Sequence, residues 1–273
     1  MRRRTVVWSI VAAVAVGLAI SGTVAYQALL RPPDSSLREF LDQNHRDPAA
    51  QVVVVAGDSL THGTLSADFV AMLKNDLDSK GYEFVNAGAN GNTVADLLGR
   101  LDDIVDAKPD QVVLLIGAND LRILDPDEKT PAVFRAGLDR VLGRLRAETK
   151  ARLAVLSVPP LGEDSDSALN QAVVRHNKVL ADIAKKHGAA YLPLNERLTE
   201  ILRAERTQPG EPYQLRFSVL VGNAFRRYLL RQSWDEIAAQ HSLLVLTDNI
   251  HLSDRGARVV GDLVTDWLLA KEE

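Results

Sequence analysis

Apolar positions along the chain follow two rhythms. Gln51-Val-Val-Val-Val-Ala56 and Gln111-Val-Val-Leu-Leu-Ile116 are unbroken apolar runs, each ended by a glycine. Such runs mark strands buried on both faces, because a strand with one wet face alternates apolar with polar residues. Tyr82–Asn86, Ala151–Val158 and Ala189–Leu194 read as three further strands. Between them the apolar residues recur at helical spacing. Phe69, Met72, Leu73 and Leu77 mark one helix, and Leu97, Leu98 and Leu101 a second over Val94–Ile104; Val133–Glu148 and Ser167–His187 follow. Strands separated by single helices imply right-handed crossovers. The prediction is an α/β three-layer α/β/α sandwich around a mostly parallel, five-stranded sheet.

Asn195–Ser242 departs from this rhythm, as a helical insert broken at Gln208-Pro-Gly-Glu-Pro212. Its segment Tyr213–Leu230 mixes Phe217, Val221 and Phe225 with Arg216, Arg226 and Arg227. That pattern fits an amphipathic helix packed on the sheet, or a lid or membrane-facing edge. Leu243–Leu246 and a last helix, Asp254–Ala270, close the chain.

The N-terminus has its own pattern. Arg2, Arg3 and Arg4 precede Thr5–Leu30, which carries no charge. About 20 apolar residues span a bilayer, whereas the apolar core of a cleaved signal is ~7–15. The run continues past the small residues Thr23-Val24-Ala25, so an uncleaved signal anchor is expected, with cleavage as the alternative. By the positive-inside rule the arginines stay cytoplasmic and the catalytic domain is extracytoplasmic, either tethered or secreted. Residues 1–30 are thus read as anchor or signal peptide, 31–50 as a linker with a short helix near Leu37–Gln43, and 51–273 as one domain containing the 195–242 insert.

Charge and composition narrow the chemistry. The net charge is −4, and without the three leading arginines it is −7, a poor surface for nucleic acid. Cysteine is absent, which excludes disulfides, thiolate catalysis and cysteine-ligated zinc. Ligands of open parallel sheets bind beyond the carboxyl ends of the strands. Three strands there run into Gly57-Asp58-Ser59-Leu60, Asn86-Ala-Gly-Ala-Asn-Gly91-Asn92-Thr93 and Gly117-Ala-Asn119-Asp120, and Asp248-Asn-Ile-His251 stands near the C-terminus.

In order and placement these four blocks resemble the GDSL/SGNH hydrolase family, over roughly Gln51 to Trp267. The resemblance implies a flavodoxin-like SGNH fold and a serine esterase that needs no metal or cofactor. It implies Ser59, Asp248 and His251 as the catalytic residues, and Ser59, Gly91 and Asn119 as donors to an oxyanion. Asn92 departs from the family's pattern, where aspartate is common. Physical chemistry points the same way. A serine hydroxyl needs a base to take its proton, imidazole serves near neutral pH, and a carboxylate fixes its tautomer. Asp248 and His251 share one short segment, so a single turn can preset them.

Asp58 and Asp120 read as hydrogen-bonding supports rather than catalysts. His62 reads as a partly exposed loop residue, and His45, His176, His187 and His241 as surface residues. Arg122 reads as a solvated charge that could meet an anionic substrate. Asp248 and His251 lack the further His or Cys ligands that a metal site needs. The expected activity is hydrolysis of a small-molecule, lipid or glycan carboxylic ester through an acyl-serine intermediate. The family's range admits lipase, lysophospholipase and arylesterase activity. The alternatives are a cell-envelope polysaccharide O-acetylesterase or O-acetyltransferase, and an inactive binding module.

Overall fold

The computed structural model describes residues 2–43, 49–123, 130–206, 210 and 213–270. The chain begins with α1 (Arg2–Ala25), a π-helical turn (Tyr26–Leu30) and α2 (Leu37–Asp42). Then come β1 (Gln51–Gly57), α3 (Ser59–His62), α4 (Phe69–Leu77), β2 (Tyr82–Gly88), α5 (Val94–Gly99) and α6 (Leu101–Asp106). β3 (Gln111–Leu115), α7 (Ala118–Ile123), α8 (Thr130–Glu148), β4 (Arg152–Leu156), α9 (Ala168–Lys186) and β5 (Ala190–Leu192) complete the sheet. The insert forms α10 (Leu194–Glu205), α11 (Phe217–Tyr228) and α12 (Trp234–Gln240), and α13 (Asp254–Leu269) ends the described chain.

All five strands are parallel, in the order β2-β1-β3-β4-β5. The sandwich expected from the sequence is present. Val52–Val55 and Val112–Leu114 are fully buried, as their unbroken apolar runs require. Each residue of that kind contributes roughly 1.5–3 kcal/mol on leaving water, so the two central strands anchor the core. β1 sits at the centre of the β2-β1-β3 group, so its end, where Ser59 lies, is flanked by two other strand ends. The expected helix Val94–Ile104 is divided at Arg100, whose side chain turns inward to the strand ends.

One N-terminal expectation is corrected, while the short helix expected near Leu37–Gln43 is present as α2. Among the described residues no helix is long and apolar enough to cross a membrane, so the transmembrane helix is not supported. The side chains of residues 2–7 and 9–13 lie outside those described. The segment also docks on the domain: α1 and the turn after it meet α11, and Ala28 is buried. The stretch read as a linker likewise packs on the sheet. Ser36 bridges to Asn86 of β2, whose N–H donates to Ser35 O at 2.8 Å, and α2 covers β2 and α6. The part of that stretch containing His45 lies outside the described residues.

Candidate active site

β1 ends at Gly57, and α3 starts two residues later, so the chain reverses sharply at Asp58. The Asp58 side chain caps the new helix by accepting from Leu60 N–H at 2.9 Å. This turn leaves Ser59 half-exposed at the first helical position, where N–H groups lack helical partners. Gly88, at the end of β2, lets α3 come this close. A Cβ there would lie 2.2 Å from the His62 nitrogen, so no other residue fits without moving the helix.

The imidazole beside Ser59 comes from the far end of the chain. Leu246 and Leu252 pair as an antiparallel bridge, and Thr247 N–H donates to His251 O at 2.7 Å, which folds Asp248–His251 into a tight hairpin. Inside it, Asp248 Oδ1 accepts from the N–H groups of Ile250 (3.1 Å) and His251 (2.9 Å). Asp248 Oδ2 accepts from His251 Nδ1 at 2.8 Å, and His251 Nε2 lies 3.1 Å from Ser59 Oγ. With Nδ1 protonated, Nε2 presents its lone pair to the serine hydroxyl.

Burial fixes the electrostatics of this chain. Desolvation pushes the Asp248 carboxyl up, but the charge and hydrogen bonds of His251 outweigh it and hold Asp248 below its ordinary pKa. Desolvation likewise pushes His251 down, and Asp248 outweighs it, so the imidazole is raised above its ordinary value. Each member of the pair therefore favours the other's charged form.

Asn119 joins the three strand-end loops. Its Nδ2 donates to Asn92 O at 2.9 Å and lies 3.4 Å from Asp58 Oδ2. Arg122 Nη2 donates to Asn119 Oδ1 at 3.1 Å, and that contact decides which end of the amide faces the serine loop. Gly91 lies in the turn closed by Asn92 N–H on Ala89 O, at φ +74°, a region glycine enters without strain. Asp120 anchors the same region, accepting from Val94 N–H at 3.1 and 3.3 Å. Desolvation raises both Asp58 and Asp120 to about 6. The structure thus brings together Ser59, His251, Asp248, Asn119, Asp58 and Asp120, with Gly91 on the neighbouring turn.

Other sequence readings fare differently. His176 is buried rather than on the surface, its ring centroid 3.8 Å from that of Phe134 at a 42° tilt, and desolvation lowers it to about 4. Helix α9 turns that position toward Phe134, an inward register that the polar imidazole disguises in sequence. His187 is half-buried and accompanies Asp139, His62 pairs with Thr64 Oγ1 at 2.8 Å, and His241 is exposed. Arg122 is exposed as expected, and it also donates to Asn119 Oδ1. Arg100 was not foreseen at all. It donates to Gly57 O and Ala87 O at 2.8 Å and to Asn92 Oδ1 at 2.7 Å, tying together the ends of β1 and β2. An arginine at the break between two helices carries no pattern that marks such a role. Among the described residues no cluster of His, Asp or Glu suits a metal ion.

A hydrogen-bonded serine, imidazole and carboxylate at the strand ends of a parallel α/β sandwich define a serine hydrolase. The chain belongs to the GDSL-like lipase/acylhydrolase family, whose model matches residues 55–259, and it is an ester-bond hydrolase. The acetylxylan esterase of Geobacillus stearothermophilus is 28% identical over 152 residues, which are 52% of this chain and 69% of that protein. Among solved structures, the acetyl xylan esterase AlAXEase superposes with a TM-score of 0.61 at 20% identity, over 80% of this chain and 100% of its own. An α/β hydrolase from the metagenome of Lake Arreo, Spain, superposes with a TM-score of 0.58 at 20% identity, over 79% and 94%. At such identities these superpositions speak for the fold alone.

Proposed function

We propose that the protein is an exported O-acetylesterase acting on a glycan, with Ser59 as nucleophile, His251 as base and Asp248 as its orienting partner. The Asp248–His251–Ser59 hydrogen-bond chain carries the catalytic part of this reading. Ser59 Oγ attacks the ester carbonyl as its proton passes to His251 Nε2. The tetrahedral oxyanion is received by Ser59 N–H, Gly91 N–H and Asn119 Nδ2. His251 then protonates the departing sugar hydroxyl, and water repeats the sequence on the acyl-serine.

The acetylxylan esterase relatives support an acetylated sugar as the substrate class. The test is a panel of p-nitrophenyl esters from acetyl to palmitoyl, run beside an acetylated xylan. Acetyl turnover at least tenfold above octanoyl, with acetate released from the xylan, is the expected result. Palmitoyl preference overturns the glycan reading and favours a lipid ester. The exposed apolar face of α11, with Phe217 79% exposed beside Val221 and Phe225, gives that second reading a specific observation.

Export rests on the triple arginine and the uncharged run Thr5–Leu30. The protein is expected beyond the cytoplasmic membrane, in the exported rather than the cytosolic fraction. A soluble cytosolic chain starting at Met1 rejects export.

A further inference from the structure

The hairpin that holds Asp248 and His251 makes no ladder with the five-stranded sheet, so its position must be set from outside. One hold comes from the loop before α4, where Thr247 Oγ1 donates to Leu65 O at 3.1 Å and Ala67 N–H to Leu252 O at 3.0 Å; another is Glu163, a side chain with no solvent exposure in the loop after β4. Its Oε1 accepts from the N–H groups of three successive residues, Leu244 (2.9 Å), Val245 (2.8 Å) and Leu246 (3.0 Å), and Oε2 accepts again from Leu244 at 3.0 Å. Three consecutive N–H groups aimed at one point form an anion-binding concavity, and here a carboxylate of the same chain fills it. Leu246 is the hairpin's first bridged residue and Asp248 follows two positions later. The Glu163 loop is itself rigid. Asn170 brackets Leu161 with bonds of 2.9 and 3.1 Å, Asn177 brackets Val158, and Gly162 N–H reaches across to Asn249 O at 2.7 Å.

The insert closes the arrangement. Arg206, just beyond α10, forms an ion pair with Glu163 Oε2 and so supplies the counter-charge of the buried carboxylate. From the other side α11 contributes Asn223, fully buried, whose Nδ2 donates to Thr247 O at 3.0 Å. Asn223 Oδ1 accepts from His241 Nε2 at 2.9 Å, which fixes the amide's orientation. Leu244–Leu246 are thus held by a carboxylate and Thr247 by an amide, and the insert supplies Arg206 to one hold and Asn223 to the other.

We propose that Glu163 is a positioning residue of the reaction, keeping the Asp248–His251 hairpin in register with Ser59, and that the insert serves this hold through Arg206 and Asn223. The inference rests on the triad reading above, since a hairpin without a catalytic role would need no such placement. Glu163 touches no reacting atom. Its effect passes through the backbone at 244–246, where a displacement near 1 Å can cost about 10²-fold in rate.

The test is Glu163→Gln, which keeps the size of the side chain but turns an amide donor toward N–H donors. With p-nitrophenyl acetate, kcat should fall about 10²-fold while KM stays within about twofold. Because a loosened Asp248 supports the imidazolium less, the acid limb of kcat/KM should also move to lower pH. Asn223→Ala, read the same way, should show a smaller fall in kcat with the same direction of pH shift. Fluorophosphonate labelling of the wild type separates the two levels of inference. No label on Ser59 in the wild type defeats the triad reading. Normal labelling in the wild type, with unchanged kcat and acid limb in a folded Glu163→Gln, overturns the positioning role. If Glu163→Gln does not fold, Arg206→Gln and Asn223→Ala decide, and an unmoved pH profile with wild-type kcat in both overturns it.

Discussion

Ser59→Ala abolishes ester hydrolysis and leaves the protein folded. The expected loss in kcat is on the order of 10⁶-fold, equivalent to about 8 kcal/mol of transition-state stabilisation. The structure gives a reason to expect loss of activity without loss of stability. Ser59 is half-exposed, and the side-chain contact of its Oγ is the one with His251 Nε2 at 3.1 Å. Removing that oxygen opens no core cavity and strands no deeply buried donor. Asp58 still caps α3 through Leu60 N–H, so the turn at the end of β1 keeps its shape. The amide of Asn119 and the turn at Gly91 also survive, so the residual rate in Ser59→Ala reports what the oxyanion donors achieve alone. Thermal melting and acetyl-ester turnover, measured on the same preparation, decide the matter. Wild-type turnover by folded Ser59→Ala would exclude an acyl-Ser59 intermediate, and fluorophosphonate labelling should disappear with the hydroxyl.

The parts of this site that sequence reveals differ in kind from those it hides. The strands were legible because burial on both faces demands unbroken apolar runs, as in Val52–Val55. The four blocks were legible because glycine, asparagine, serine and histidine at strand ends are costly choices unless chemistry or backbone geometry requires them. What sequence hid is the support between blocks. Arg100 binds carbonyls on two strands, Arg122 orients the Asn119 amide, and Glu163 meets N–H groups some eighty positions away. Each is a charged residue in a region where charge usually means solvent. Most partners of Arg100 and Glu163 are backbone atoms, which leave no trace in the pattern of side chains. The opposite error befell the N-terminal segment, where a local apolar count suggested a span while the structure docks the following turn on α11. His176 failed for a related reason: an imidazole packed against Phe134 occupies a position where the sequence pattern anticipates an apolar side chain.

Asp248→Asn is the more discriminating variant, because it separates the carboxylate's two duties. Asp248 Oδ1 shapes the hairpin by accepting from Ile250 and His251 N–H, and the asparagine carbonyl can keep both bonds. Oδ2 accepts from His251 Nδ1 at 2.8 Å, and there asparagine places an NH₂ group instead. Two donors cannot share that contact, so the imidazole adopts the tautomer with its proton on Nε2. In that form Nε2 cannot take the proton of Ser59, and kcat should fall on the order of 10⁴-fold with substrate affinity nearly unchanged. The pH profile gives an independent sign. In the wild type His251 must be neutral to act, and Asp248 raises its pKa, so activity disappears as pH falls through a value above the ordinary imidazole pKa near 6.5. With the anion gone, desolvation acts on His251 unopposed by its main partner and pushes the pKa down, so the acid limb of the residual activity should move to lower pH. The same pair sets a stability window. The raised His251 contributes stability below its unfolded pKa that is lost as pH rises through the folded value. The depressed Asp248 contributes stability above its unfolded pKa that is lost as pH falls through the folded value. In Asp248→Asn both contributions vanish, and the difference in melting temperature between wild type and variant should be widest between the two unfolded pKa values, near pH 4 to 6.5. An acid limb that stays in place, with kcat within tenfold of wild type, would remove Asp248 from the catalytic chain and leave His251 to act on Ser59 unaided.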